Sequence, residues 1–406
     1  MSSRRAFVNA RLIDPASGLD ASGGLLVENG RIAAVGPDVT AGAMADAEII
    51  DCGGKLLFPG LVDMRVFTGE PGAEYRETLS SAAQAAAAGG VTTMIVMPDT
   101  DPVIDDAALV DFILRRARDT AIVRVHPMAA LTRGLKGRQM AEAGLLREAG
   151  AVALTDGRHC VASPRLLARA MAYARDFDLL VCQHVEDPDL AAGGVMHQGE
   201  LSARLGLPGI PRQAEIIALE RDIRLVEMTG ARYHAMQLSC AESVDIVRRA
   251  RERGLPVTCG VSINNLTLNE HDIGAWRTFF KLSPPLRTER DRAALAAGVA
   301  DGVIDVIVSA HDPQSADTKR LPFAEAAFGA IGLETLFAAA YGLHANGEVP
   351  LKRLIAAMSA TPAKLLGLDA GTLRIGAAAD FTIADPDLSW TVRTENLRSA
   401  SRNTPF

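Results

Sequence analysis

Apolar and polar positions follow two different patterns along this chain. In roughly the first fifty residues, apolar side chains occupy alternate positions of short runs such as AFVNARLID and GGLLVENGRIAAVG. A period of two predicts β-strands, and Asn29-Gly30 between two such runs predicts a hairpin turn. From about Gly60, short β-rich apolar runs alternate with helical stretches rich in alanine and arginine.

The second pattern contains eight strand candidates with helical patterns between them. Eight buried strands alternating with helices predict a (β/α)8 barrel, also called a TIM barrel. A doubly wound open sheet is the alternative, but no glycine-rich dinucleotide fingerprint follows the first strand. The candidate strands are LVDMRV, TTMIVM, VRVHPM, AVALTD, LLVCQHV, RYHAMQLS, PVTCGVS and IDVIVSA.

The two ends of the chain share a β-rich texture that the middle lacks. The tail from Gly371, GTLRIGAAADFTIADPDLSW, returns to short β-runs like those of the N-terminal segment. We therefore predict that residues 1–55 and 368–406 pair into one small β-domain, and that residues 56–367 form the barrel.

Composition and charge restrict the partners. The 406 residues are 48% hydrophobic and 22% charged, with a net charge of −7 and 4% aromatic residues. An acidic chain poor in aromatic residues argues against nucleic acid or an anionic membrane as a partner. The five cysteines are scattered without a CxxC pair, so neither a disulfide framework nor a cysteine zinc site is expected. The N-terminus lacks an apolar signal-peptide core, and we expect a soluble cytoplasmic protein.

Several long blocks of sequence resemble dihydroorotases of the amidohydrolase superfamily. The resemblance begins with FPGLVDM, GEPGAEYRET and AAAAGGVTTMIVMPDTDPV, and continues through QHVEDPDL, SPPLRTERDR and SATPAKLLGL to GTLRIGAAADFTIADP. It covers nearly the whole chain and implies a barrel whose site lies at the carboxyl ends of the strands. It also implies a zinc-dependent enzyme that interconverts carbamoyl aspartate and dihydroorotate.

The metal positions of that family carry different residues here. The family's His-x-His reads Arg65-Val66-Phe67, and neither a guanidinium nor a phenyl ring can ligate a cation. Its Asp and His ligands on later strands correspond to Asp156 and His184, which are kept. The remaining two positions, a His and an Asp that is also the expected general base, have become Gln237 and Ala310. We therefore expect no bound metal and no cofactor.

The substrate positions implied by the resemblance are altered as well. An Arg and an Asn that bind the substrate carboxylate correspond to Gly69 and Asp99, and the Asn before Pro-Pro-Leu-Arg corresponds to Ser283. Asp99 would repel the carboxylate that the family's Asn attracts. We expect none of these positions to bind the family's substrate.

Other residues admit a plain and a sharper interpretation. His184 is interpreted as a barrel histidine held by its neighbours rather than as a surviving ligand. A substitute metal site of Asp156, His184 and Asp312 is the sharper alternative, although Asp312 is expected to lie past the barrel mouth. Asp99 and Asp101 are interpreted as solvated loop carboxylates rather than as an acid–base pair. Cys182 is interpreted as a buried structural thiol.

One side-chain contact is predicted at the emptied metal site. A buried Asp156 without a metal would lack a counter-charge, which is costly. Arg65 stands where the first metal-binding His would be, so we expect its guanidinium to pair with Asp156. Phe67, on the same strand face, would fill the remaining volume.

These residues together predict a dihydroorotase-like protein of pyrimidine biosynthesis that is not itself catalytic. The resemblance implies a structural partnership with aspartate carbamoyltransferase, because some bacteria carry inactive dihydroorotase homologues in that role, and we also expect a homo-oligomer. The segment GGVMHQGELSARLGLPGIP is a candidate partner surface. The alternatives are an active dihydroorotase or related cyclic amidohydrolase with an atypical site, and a ligand-binding sensor without chemistry.

Overall fold

The computed structural model describes residues 4–44 and 46–406. Its strands are β1 (Arg4–Asp14), β2 (Leu19–Glu28), β3 (Arg31–Gly36), β4 (Glu48–Asp51), β5 (Leu56–Pro59), β6 (Leu61–Val66), β7 (Val91–Val96), β8 (Arg124–Pro127), β9 (Ala129–Ala130), β10 (Ala153–Thr155), β11 (Leu180–Gln183), β12 (Met196–His197), β13 (Gly209–Ile210), β14 (Tyr233–Ala235), β15 (Val257–Ser262), β16 (Val306–Val308) and β17 (Phe381–Ala384).

The helices occupy the segments between and after the barrel strands. They are α1 (Leu79–Ala88), α2 (Ala107–Thr120), α3 (Ala143–Ala149), α4 (Pro164–Arg175), α5 (Pro188–Ala191), α6 (Glu200–Leu205), α7 (Arg212–Thr229), α8 (Ala241–Glu252), α9 (Ile263–Thr267), α10 (Glu289–Ala300), α11 (Ala316–Lys319), α12 (Leu336–Ala345), α13 (Leu351–Met358) and α14 (Ala360–Leu366). Short 3₁₀ turns span Arg133–Leu135, Glu270–Ile273, Thr278–Phe280 and Thr394–Asn396. Within the described residues, we find no helix with the length and apolarity that crossing a membrane requires.

The two ends of the chain meet in one sheet. Its strand order is β17-β5-β1-β2-β3, with β4 paired to β1. The turn between β2 and β3 places Asn29 at φ 50° and Gly30 at φ 74°, the left-handed pair that a two-residue hairpin of this twist requires. On the other side β17 runs antiparallel to β5, with Phe381 opposite Pro59. The predicted small β-domain from both termini is thereby confirmed as part of the fold.

All eight predicted barrel strands are present, as β6, β7, β8, β10, β11, β14, β15 and β16. Neighbours within the sheets β6-β7-β8 and β16-β15-β14-β11-β10-β9 pair in parallel. The amide of Val152 donates to Pro127 (3.1 Å) and that of Phe67 to His311 (2.9 Å), which joins the two sheets at both seams. The predicted (β/α)8 barrel is confirmed, and its β-strands direct their carboxyl ends to one mouth.

Local sequence explains why the helices lie where they do. Thr78 accepts a hydrogen bond from the amide of Ser81 and opens α1, whose alanine face is fully buried against the strands. Ser163 caps α4 in the same way, with Pro164 in the first turn. Small alanine side chains let α1 approach the barrel closely. This approach fixes the position of the segment between β6 and α1.

The C-terminal tail leaves the small sheet and returns to the barrel mouth. Residues 399–403 contact the segments that follow β6 and β16. Strand β5 belongs to the small sheet although its residues fall on the barrel side of the predicted bound. The division into 1–55 plus 368–406 and 56–367 stays a prediction.

Candidate site at the barrel mouth

The six positions that the resemblance assigns to the family's metal ligands all lie at the carboxyl ends of barrel strands. They are buried, and the strands that carry them adjoin one another around the mouth. The geometry therefore gathers, at one end of the barrel, the residues singled out in the sequence: Arg65, Phe67, Asp156, His184, Gln237 and Ala310.

Arg65 is a buried cation without a hydrogen-bonded counter-ion. Its residue is 2% exposed, and its Nε has no hydrogen-bond partner in the described part of the chain. The guanidinium carbon lies 4.9 Å from the ring centre of Phe67, so the ring face provides a cation–π contact. Burial, together with the nearby charge of Arg158, lowers the pKa of Arg65 to about 10. Phe67 is 5% exposed, and that it fills the volume of the metal site stays a prediction.

Asp156 pairs with Thr132, and the predicted contact with Arg65 is wrong. The amide of Thr132 donates to Asp156 Oδ1 at 2.8 Å, and the Thr132 hydroxyl donates to Oδ2. These two donors satisfy the carboxylate from the neighbouring strand, which removes the need for a cation. Burial nevertheless raises the pKa of Asp156 to about 6.

The cation that pairs with carboxylates at the mouth is Arg158, which sequence reasoning missed. Its Nη2 lies 2.5 Å from Asp312 Oδ1 and its Nε 3.1 Å from Oδ2, a two-pronged contact. Its amide donates to Asp99 Oδ2 at 3.0 Å, and its guanidinium carbon lies 3.6 Å from the Phe67 ring centre. The available signal was an arginine two residues beyond Asp156 at a strand end.

Arg158 corrects two expectations about acidic residues. Asp99 is not a solvated loop carboxylate, because its side chain is 7% exposed and faces Arg158. Asp312 does not lie past the mouth but is held on its rim by Arg158 and by Gln314 Nε2 at 2.8 Å. Asp101, by contrast, is exposed, so the two acids do not form an equivalent pair.

The remaining positions show how the strand ends are held. His184 Nε2 lies 3.2 Å from Ser283 Oγ and 3.7 Å from Glu186 Oε1, so neighbouring side chains hold the imidazole as predicted. Neither amide atom of Gln237 has a hydrogen-bond partner among the described residues. Ala310 adopts φ 52°, which turns the chain sharply out of β16.

These side chains do not fit a zinc centre. Zinc sites need three or four nitrogen, sulfur or carboxylate ligands that converge on one point. Within residues 4–44 and 46–406 no group of three or more His, Cys, Asp and Glu side chains is arranged to hold a metal ion. Of the substitute set, Asp156 is bound by Thr132 and Asp312 by Arg158. The donor chemistry therefore argues against this alternative, and the absence of a metal stays a prediction.

Two of the three positions that the resemblance assigns to substrate binding, Gly69 and Asp99, line a small cavity. It has a volume of about 280 Å³, and its lining includes Phe67, Gly69, Met97, Asp99, Arg158 and Asp312. A side chain at Gly69 would place its Cβ 2.1 Å from the carbonyl oxygen of Ala73, so this backbone cannot accept the family's Arg. Ser283 is directed toward His184. The absence of the family's substrate from these positions stays a prediction.

The C-terminal tail holds this mouth from outside, a contact that sequence patterns did not indicate. The Ser399 hydroxyl and the amide of Ala400 donate to the buried carboxylate of Glu77. The side chain of Asn403 donates to the carbonyls of Asp312 (3.2 Å) and Gly329 (3.1 Å). The tail thus fixes the segments after β6 and β16, both of which contribute to the cavity.

Two further sequence interpretations concern the surroundings of the mouth. Cys182 is fully buried, and burial raises the pKa of its thiol, so the predicted burial is confirmed and the structural role stays a prediction. The candidate partner segment folds into β12, α6 and β13, with Met196 and Ile210 buried beneath it. Its role as a partner surface stays a prediction.

Comparisons with known proteins agree with this architecture. Residues 54–243 match the family described as "Dihydro-orotase-like". Proteins named dihydroorotase from Pelobacter propionicus and Anaeromyxobacter sp. (strain K) are each 44% identical over 398 residues. Each alignment covers 98% of this chain, and 93% and 92% of those proteins respectively.

Solved structures show the same fold. An L-hydantoinase (dihydropyrimidinase) from Arthrobacter aurescens superposes with a TM-score of 0.88 at 25% identity, covering 100% of this chain and 92% of that one. A dihydropyrimidinase from Brevibacillus agri NCHU1002 gives 0.84 at 22% identity, covering 99% and 90%. Barrel and terminal β-domain together define the amidohydrolase fold class. Within that class, the chain belongs to the dihydroorotase-like family.

Proposed function

We propose that this chain is a dihydroorotase-like protein of pyrimidine biosynthesis that does not catalyse the reaction itself. The observation that supports this most strongly is the residue set at the six ligand positions, where Arg65, Phe67, Gln237 and Ala310 offer no suitable metal donor. Hydrolysis or cyclisation of an amide in this superfamily depends on a cation that polarises the carbonyl and acidifies water. With Ala310 the general base is lost as well.

The proposed role is that of a structural partner of aspartate carbamoyltransferase in an oligomer. Support for this partner comes from the resemblance to inactive dihydroorotase homologues. A barrel whose reaction centre is altered at several positions together, yet whose core and tail contacts remain well formed, is consistent with a function carried by its surface.

An active cyclic amidohydrolase with an atypical site is the second candidate. The names of the curated relatives favour it, because proteins 44% identical over nearly the whole chain are called dihydroorotase. His184 would then be the residue on which activity depends, since it keeps a nitrogen ligand at the mouth.

Catalysis is tested by assaying the purified protein for both directions of the dihydroorotase reaction, with and without added zinc. We expect no turnover above a buffer control and no stoichiometric zinc by elemental analysis. The double variant Arg65→His and Phe67→His should also stay inactive, because Gln237 and Ala310 remain. Turnover that survives repurification and disappears in His184→Ala would establish the second candidate instead.

The partnership is tested by co-expressing the chain with aspartate carbamoyltransferase from the same organism. We expect both chains to elute together in one large assembly and the carbamoyltransferase to lose stability when expressed alone. Strictly separate elution, with a carbamoyltransferase that is fully stable alone, would contradict this role while leaving the catalytic result untouched.

A further inference from the structure

The helices α7 and α8 pack side by side on the outside of the barrel and leave a groove of about 460 Å³ between them. The floor of this groove is apolar, since Ile223 and Ile246 are each 5% exposed and Ala250 is 1% exposed. Ile217 lines the same groove with 49% of its surface exposed. Single exposed apolar residues are common, but one that adjoins an apolar floor indicates a surface that a partner can cover.

The charged residues along this groove are mainly arginines. Its lining contains Glu220 and four arginines: Arg221, Arg224, Arg249 and Arg253. Two further carboxylates, those of Asp222 and Glu227, pair with these arginines. Four guanidinium groups against three carboxylates leave the groove positive, although the chain as a whole carries a net charge of −7.

The arginines differ in how far the protein already pairs them. Arg221 is held in place, because its Nη2 lies 2.7 Å from Asp222 Oδ1. Arg224 and Arg253 share the single carboxylate of Glu227. Arg249 forms no ion pair with any residue of the described ranges. Because guanidinium groups bind carboxylates well at protein interfaces, the groove can accept further carboxylates from outside the chain.

The floor and the arginines together restrict the occupant. A free anion would contact the guanidinium groups but would leave Ile217 and the apolar floor exposed to water. A helix with one apolar face and acidic flanks matches both features, and a groove between two packed helices is a shape into which such a helix fits.

We propose that the groove between α7 and α8 docks an acidic amphipathic helix of a partner protein. The apolar face of that helix covers Ile217 and the floor, and its carboxylates pair with Arg249 and Arg224. This proposal deepens the role of structural partner and rests on it, because it names one docking surface and the chemistry that the surface recognises.

The probe is a synthetic helix of about 15 residues, with leucines at every third or fourth position and glutamates on both flanks. Fluorescence anisotropy of the labelled peptide, titrated with the full chain, gives its dissociation constant. We expect saturable binding at about 10–100 μM. A peptide with lysines in place of the glutamates, and a scrambled acidic peptide without an apolar face, should each bind about tenfold more weakly or less.

Two pairs of variants locate the binding. Ile217→Ser should weaken it about fivefold, because it removes apolar surface that the helix covers. Met228→Ser is the matched control, since Met228 is an exposed residue of the same helix outside the groove. Arg249→Glu should weaken binding about tenfold, whereas Arg165→Glu, at an exposed position of α4 outside the groove, should change it less than about twofold.

Four results would overturn the proposal. The first is an absence of acidic-helix binding to wild-type protein that is folded by circular dichroism. The second is equal binding of the lysine peptide, and the third is an equal effect of Ile217→Ser and Met228→Ser. The fourth is a homo-oligomer that Ile217→Ser dissociates in analytical ultracentrifugation, because a second copy would then cover the groove.

A competition with tripolyphosphate separates a docking surface from a site for free anions. We expect the peptide to remain bound at tripolyphosphate concentrations equal to its own. Displacement at such concentrations, with the same affinity in Ile217→Ser, would assign the groove to free anions and contradict the proposal. The turnover assay and the co-elution with aspartate carbamoyltransferase are separate measurements, so a failure of peptide binding is distinguishable from a failure of the proposed function.

Discussion

Glu215 and Arg65 are equally buried charges at the same end of the barrel, and they differ in the hydrogen bonds that they make. Each residue is 2% exposed. Glu215 accepts from the amides of Ser239 (2.9 Å) and Cys240 (3.1 Å) and from the hydroxyl of Ser243 (2.6 Å). The Nε of Arg65, in contrast, has no hydrogen-bond partner within the described ranges.

The difference separates a charge that the protein pairs through several hydrogen bonds from one that it buries without them. Glu215 ties α7 to the loop after β14 and to the first turn of α8, and it needs nothing from outside the chain. The cost of removing its charge from water is offset by several good donors. Arg65 has a ring face and distant carboxylates instead, and its Nε has no acceptor among the described residues.

The largest expected effect follows from removing the Glu215 carboxylate and with it the hydrogen bonds that it accepts. Glu215→Ala leaves two buried amides and two serine hydroxyls without their acceptor, and should lower the free energy of unfolding by about 3–5 kcal/mol. Urea unfolding followed by circular dichroism measures it. Glu220→Ala, on an exposed position of the same helix, should change stability by less than about 0.5 kcal/mol. Similar losses in both variants would mean that the network contributes nothing specific.

The second largest loss of stability is expected from a change in the C-terminal tail, at the edge of the barrel mouth. Asn403→Ala removes the side chain that donates to the carbonyls of Asp312 and Gly329 and accepts from the amide of Gln314. Each unpaired buried group costs about 1–3 kcal/mol, and water recovers part of this, so a net loss of about 2–3 kcal/mol is expected. Thermal unfolding measures it.

The control for the tail is Arg398→Ala. The side chain of Arg398 is exposed, and its contact to Glu334 comes from the backbone amide, which the substitution keeps. Its unfolding temperature should match that of the wild type. If Asn403→Ala matched it too, the tail would not hold the mouth.

The barrel and its mouth also show what the sequence predicts and what it does not. Periodicity predicted the barrel strands because each strand's apolar pattern is local, and the Asn29-Gly30 turn is defined by two adjacent residues. The partner of Asp156 was missed because Thr132 lies 24 residues away and has no charge to suggest the contact. Arg158 meets Asp312 across 154 residues, and only the closed barrel brings them together.

The pH dependence of stability tests Asp156 at the barrel mouth, and the expected effect is smaller. Burial raises the folded pKa of Asp156 to about 6, above its usual value of 3.8. The native state then holds the proton more tightly than the unfolded state, so this group's contribution makes the protein more stable as pH falls from 7 toward 4.

Asp156→Asn should remove that contribution. The variant should be more stable than the wild type at pH 7, by about 1–2 kcal/mol, and should converge with it near pH 4. Chemical unfolding at several pH values gives both curves. A wild type that instead lost stability below pH 6 relative to the variant would mean that Asp156 is paired with a cation or metal.

The smallest effect is expected from removing the Arg65 side chain, and it distinguishes Arg65 from Glu215 most directly. If Arg65 paired with Asp156, its removal would cost about 3–5 kcal/mol, as for any broken buried ion pair. Because Asp156 is satisfied by Thr132, Arg65→Met should instead change the free energy of unfolding by only about 0–1 kcal/mol, and in the stabilising direction. Methionine keeps much of the volume beside Phe67 and removes a desolvated charge. Arg212→Met is the matched control, because Arg212 binds the buried Asp291 at 2.6 Å and the same substitution there removes the cation from a carboxylate that keeps only neutral donors, from Thr288 and Ala241. We therefore expect Arg212→Met to cost about 3 kcal/mol under the conditions in which Arg65→Met costs nothing. Equal losses at both positions would show that Arg65 has a protein partner in solution.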